Sequence, residues 1–151
     1  MNRIVEIARW EPHGGLPELP LGAFNLTWIA DEERLVCVGL YSSTSKRPAE
    51  GIVVEFNEVH AFKVLDEQSD GLWEMGAEPP PLREPAAYGG VWPFAEILLS
   101  PWIIQMAESD GALNITHLRH WIVVTPNQVL HVAAHFKSEP HFTGWFNPAR
   151  A

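Results

Sequence analysis

Short apolar runs, broken at close intervals by polar or Pro/Gly clusters, follow one another along most of this chain. Runs of this length, rich in Val, Ile, Phe and Trp, predict strands rather than helices. Residues 2–10 alternate weakly and predict an edge strand, and residues 11–21, with Pro12, Pro17, Pro20 and the Gly14-Gly15 pair, predict a loop. Residues 24–30 and 34–41 flank the polar turn Asp31-Glu32-Glu33 and predict a hairpin. A polar loop over 42–50 precedes a strand over 51–56, which Asn57 and Glu58 interrupt before a second strand over 59–65. If extended, that second strand puts Val59, Ala61, Lys63 and Leu65 on one face and His60, Phe62 and Val64 on the other. Neither face is cleanly apolar.

The C-terminal half is less uniform. An acidic stretch, then Pro79, Pro80, Pro81 and Pro85, then Gly89-Gly90, make the longest irregular region. A loop this long inside a compact domain is uncommon and tends to be functional or disordered. Residues 91–99 are apolar and fit strand or helix equally well. Ser100 and Pro101 then announce a helix over 101–108, because serine caps free N–H groups and proline loses nothing in the first helical position. Gly111 stands just past its end, and Trp102, Ile103 and Met106 should face inward. Residues 115–136 predict two strands around a turn at Pro126-Asn127, and residues 142–151 an irregular end held down by Trp145 and Phe146. With no internal repeat or boundary, the expectation is a single domain over 1–151. It should be mainly β, an antiparallel sheet or sandwich with one short helix, with α+β as the alternative class.

A chain of 151 residues with 46% apolar and 19% charged residues can bury a core without staples, so folding needs no disulfide or metal. The lone cysteine, Cys37, lies in an apolar run and reads as a buried, inert thiol. Seven tryptophans are a heavy load; most should be core, with two or three left to a recognition surface. The first ten residues lack the continuous apolar core of a signal peptide, and no apolar run approaches the ~20 residues of a membrane span. A cytoplasmic protein with no membrane partner is expected.

Charge sharpens the partner class. The net charge is −9, and residues 66–84 carry Asp66, Glu67, Asp70, Glu74, Glu78 and Glu84 against Arg83. Such a surface repels nucleic acid and favours a basic partner. Within it, Trp73 beside Asp70 and Glu74 combines an aromatic anchor with steering carboxylates. Asp66, Glu67, Asp70, Trp73 and Glu74 are therefore the candidate partner-binding residues. The other reading is a solvated loop with Trp73 as a lid on the core.

Five of the seven histidines, His117, His120, His131, His135 and His141, fall in one C-terminal stretch. His131 and His135 are four apart on one strand and share a face. Their third neighbour depends on the turn. If paired residue numbers sum to 253, His120 joins them; if they sum to 254, His117 does. Pro126 cannot adopt the positive φ of a tight type I′ turn, which disfavours a two-residue loop and leaves the register open. His131, His135 and His120 are the candidate metal ligands, but no HExxH motif, cysteine pair or carboxylate at ligand spacing supports them.

No Gly-x-Ser-x-Gly elbow, phosphate-cradling glycine loop or diagnostic carboxylate pair is present, so no catalytic residue is assigned and no cofactor is expected. Asp66-Glu67 and Glu32-Glu33 read as solvated turn residues. A weak likeness rests on Glu55-Phe56, residues 59–62, Asp66-Glu67, residues 100–103, the run His-Trp-Ile-Val-Val-Thr-Pro-Asn at 120–127, and residues 129–133. In this order the chain resembles small bacterial proteins of unknown function, some of which look like immunity proteins of toxin systems. The likeness covers roughly residues 50–136 and consists of strand and cap patterns, so it transfers no functional residue. It implies a cytoplasmic, non-enzymatic protein that binds and blocks one toxin, for which a basic toxin would suit the acidic charge. The alternative is a small-molecule or metal-binding domain, or a minor enzyme, built on the histidine hairpin.

Overall fold

A computed structural model describes residues 5–41, 50–66, 79–83, 90–111 and 114–147. The described chain forms nine strands, β1 (Glu6–Arg9), β2 (Leu21–Ile29), β3 (Arg34–Tyr41), β4 (Gly51–Phe56), β5 (Val59–Asp66), β6 (Phe94–Leu98), β7 (Leu118–Val124), β8 (Gln128–His135) and β9 (His141–Phe146). One α-helix, α1 (Pro101–Ser109), lies between β6 and β7. The strands make two antiparallel sheets, ordered β1-β6-β7-β8-β5 and β2-β3-β4-β9. The expected mainly-β class with one short helix is what forms. Among the described residues, no helix is long and apolar enough to cross a membrane.

Side-chain alternation explains how the sheets meet. Leu35 and Cys37 of β3 and Ile52, Val54 and Phe56 of β4 point inward from the four-stranded sheet. Phe94, Trp121, Val123, Leu130 and Val132 answer them from the five-stranded sheet, and Trp10 and Trp92 join the same core. Each fully buried side chain of this size contributes about 1.5–3 kcal/mol relative to its exposed state. Trp92 is accommodated because its Nε1–H donates to the Trp10 carbonyl at 2.7 Å. Cys37 is buried in this core, which pushes its thiol up to about 12 and keeps it protonated and unreactive, as its apolar surroundings predict.

The break at Asn57-Glu58 turns out to be a crossing between sheets. β4 belongs to the four-stranded sheet and β5 to the five-stranded one, and Glu58 turns the chain with φ 49°. This also explains the mixed faces of β5. Phe62 packs on the core, whereas Lys63 points to the opposite side, where its Nζ lies 4.5 Å from the centre of the Trp102 ring on α1. Both faces of β5 are partly covered, so no polar face remains to be read.

One open alternative is resolved and one expectation needs correction. The ambiguous run over 91–99 contains a strand, β6, paired with both β1 and β7. The end over 142–151 is not irregular as far as it is described: β9 pairs with β4, with a register shift between Val53 and Val54 that leaves Thr143 without a partner in the ladder. A bulge absorbs the irregularity while Phe142 and Trp145 pack against the core. The weakly alternating N-terminal segment does form an edge strand, β1.

The helix is close to its expected limits. Ser100 Oγ accepts the Ile103 N–H at 3.2 Å, Pro101 opens the first turn, and Ile103 is the buried helical residue, flanked by half-buried Trp102 and Met106. It ends without a glycine cap. Asp110 takes extended backbone at φ −119° while its N–H still reaches the Met106 carbonyl.

Candidate functional site

The β7–β8 hairpin settles which histidines meet. Its pairs, from Leu118↔His135 to Val124↔Val129, sum to 253, so His120 and not His117 stands on the face of His131 and His135. The connection runs over Thr125–Gln128, and Pro126 fits because neither central residue needs a positive φ. The Thr125 hydroxyl takes the place of a backbone carbonyl in accepting the Gln128 N–H at 3.2 Å, and it also donates to the Gln128 carbonyl at 2.8 Å. The expectation that Pro126 disfavours a tight primed turn holds, and this side-chain bridge explains how the register survives.

On that face the chain builds a buried polar line. Ser100 Oγ lies 2.6 Å from His120 Nδ1, and His120 Nε2 lies 2.8 Å from His131 Nδ1. All three residues are buried. The Trp102 ring closes the top, edge-on to His120 at 5.0 Å and to His131 at 6.1 Å between centroids. Ser100 reaches this place because Leu99, at φ 51°, reverses the chain between β6 and α1 while its own side chain stays 85% exposed. A left-handed conformation is costly for leucine, so the corner is strained to seat the serine.

Each bond of the line carries one hydrogen, and the two run in the same sense. Either the Ser100 hydroxyl donates to His120 Nδ1 and His120 Nε2–H to His131 Nδ1, or His131 Nδ1–H donates to His120 Nε2 and His120 Nδ1–H to Ser100 Oγ, which has a second lone pair beside the one taken by the Ile103 N–H. His120 is held well below the usual histidine range, first by burial, then by His131 and by Lys63. The positive end of the α1 dipole acts in the same sense. The ring is therefore neutral at pH 7.

The remaining histidines are dispersed. His135 shares the face but is half-exposed; its Nδ1 accepts the Lys137 N–H at 3.2 Å and lies 3.5 Å from Glu58 Oε2. His117 is exposed before β7, and His141 is exposed on β9, 3.9 Å from a Glu55 oxygen. Of the three metal candidates, His120 and His131 meet and His135 stands apart. Zinc bonds of 2.0–2.1 Å hold tetrahedral ligand nitrogens about 3.3 Å apart, wider than the hydrogen bond between these rings. Among the described residues, no three His, Cys, Asp or Glu side chains are grouped to hold a metal ion. Ser100 as a nucleophile is equally poorly placed, since its oxygen is buried and already caps the helix.

A second region is exposed. Where edge strands β2 and β5 approach each other, Trp28 packs against Phe62 with ring centroids 5.2 Å apart, yet Trp28 remains 40% and Val64 37% exposed. The seam has acidic ends. At one, the Glu33 carbonyl accepts the Val59 N–H at 2.9 Å and brings the exposed turn Asp31-Glu32-Glu33 against the start of β5. At the other, β5 closes on exposed Asp66, where the acidic stretch of the sequence begins. Asp66 is the one sequence-designated partner residue that can be placed; Glu67, Asp70, Trp73 and Glu74 lie outside the described residues. Trp28, Phe62 and Val64 were not singled out from the sequence. The available signal was Trp28 next to an acidic turn, but the meeting of β2 with β5 is a long-range fact.

Scanning known protein families, characterised proteins and solved structures found no match to this chain.

Proposed function

We propose that this chain is a cofactor-free protein-binding domain that docks a basic protein along the β2–β5 seam, as a toxin-neutralising immunity protein would. The observation that carries this reading is the pair of exposed apolar side chains Trp28 and Val64 beside half-buried Phe62, with acidic groups at both ends. Tryptophan supplies the large, stiff contact area typical of binding hot spots, and surrounding carboxylates raise the encounter rate with a cationic partner. The net charge of −9 adds long-range attraction of the same sign. A toxin with a cationic surface is the partner class this chemistry suits.

The test is direct binding to a cationic protein encoded beside the gene for this chain. The reading expects a one-to-one complex whose association slows as salt rises, and whose affinity falls at least about tenfold in Trp28→Ala. Unchanged affinity in Trp28→Ala and in Val64→Asp would overturn the assignment of the seam. Absence of any binding to such a neighbour would overturn the immunity reading.

A further inference from the structure

The Ser100–His120–His131 line joins a helix cap to the sheet beneath it, and both ring nitrogens of His120 are already engaged in it. We propose that mild acid releases α1 from the five-stranded sheet, with this line as the proton-sensitive fastening. The inference is independent of what the β2–β5 seam binds.

Both ring nitrogens of neutral His120 are engaged, one as donor and one as acceptor. A proton added to the accepting one meets a hydrogen already there: the Ser100 hydroxyl at Nδ1 across 2.6 Å, or His131 Nδ1–H at Nε2 across 2.8 Å. In either sense of the line the addition breaks one of its two bonds in a buried site.

Among the described residues, those packed around His120 oppose a positive charge on it or are engaged elsewhere. Lys63 from β5 and His131 from β8 both oppose a positive charge on His120. β6 contributes Ile97 as the residue paired with His120, and α1 contributes the Trp102 ring and the positive end of its dipole. His135, further along β8, accepts the Lys137 N–H through Nδ1, and Glu96 of β6 is held by Arg119. The fastening is also a polar attachment of the helix: Ser100 both caps Ile103 and contacts His120, while Ile103 is the buried side chain of the helix. If α1 lifts, His120 reaches water and regains an ordinary histidine affinity for protons, near pKa ~6.5. Protonation therefore favours the lifted form, while the core between the sheets is unaffected.

Hydrogen exchange of backbone amides at about pH 7.5 and about pH 5.5, corrected for the intrinsic pH dependence of exchange, tests this. With an open-form pKa near ~6.5, the protection of residues 104–109 should fall about tenfold, and their exchange should stay insensitive to dilute urea, unlike exchange of β3 and β4 through global unfolding. His120→Gln should abolish the pH-dependent change, because the glutamine does not titrate. Unchanged protection of residues 104–109 in the wild-type chain overturns the proposal, as does a urea sensitivity of their exchange equal to that of β3 and β4, which would signal global unfolding. The wild-type comparison decides the matter even if the variant fails to fold.

Discussion

The histidine line and the β2–β5 seam are opposites in composition and in exposure. The first gathers Ser100, His120 and His131 at hydrogen-bond distance and then buries them under Trp102. The second offers no reactive group, only Trp28, Phe62 and Val64 between acidic ends, yet parts of it face solvent. The contrast teaches that a cluster of chemically capable residues is a poor guide to function until its access is known. A buried polar line has its proton inventory fixed by neighbours and acts on stability. An exposed aromatic with unsatisfied apolar area has binding energy left to give.

The largest effect should come from breaking the buried side. His120→Ala removes a buried ring and leaves both Ser100 and His131 short of a partner, so unfolding by urea should show a loss of about 2–4 kcal/mol. Trp28→Ala should act on the other side of the comparison. It should cost about 2 kcal/mol in partner affinity by calorimetry while the urea midpoint moves far less, since Trp28 is 40% exposed.

Next comes the dependence on pH. His120 is neutral in both folded and unfolded chains above pH ~6.5, so it adds no slope there. Below that value the unfolded chain binds a proton that the folded chain resists, and stability falls with pH by at most ~1.4 kcal/mol per unit until the depressed folded value is reached. Denaturation between about pH 7.5 and 5.5 should show this slope in Trp28→Ala and lose it in His120→Gln. That window stays above the acid region in which Glu18 matters; its carboxyl is held below the ordinary range by Arg9, and its contribution is lost only as pH falls toward and below the usual carboxylate range.

Two smaller effects probe the corner between β6 and α1. Ser100→Ala removes both the cap and one end of the histidine line, for a loss of about 1–2 kcal/mol with the helical signal reduced. Leu99→Gly should instead raise the thermal midpoint slightly, by about 0.5–1 kcal/mol of stability, because glycine accepts φ 51° without the Cβ clash. A loss on that substitution would show that the exposed leucine makes a stabilising contact.

How much of this was legible depended on range. The Ser100-Pro101 helix start and the strand run over Arg34–Tyr41 are local and were readable. The face shared by His131 and His135 follows from strand period alone, but the choice of His120 over His117 needed the Thr125 side-chain bridge, which a turn-type argument from Pro126 does not contain. Ser100 was legible as a cap and not as a partner of His120, because β6 had to be recognised as the neighbour of β7 first. The seam was hidden for the same reason: Trp28 and Phe62 are joined by the crossing at Asn57-Glu58, where the chain changes sheets.

The central claim is that binding resides in the exposed seam and that the histidine line serves the fold. Measuring partner affinity and urea stability side by side for Trp28→Ala and His120→Gln tests it most directly. The account predicts that Trp28→Ala loses at least about tenfold in affinity with its fold largely intact, and that His120→Gln binds normally wherever it is folded. Normal binding by Trp28→Ala together with lost binding by folded His120→Gln would contradict it.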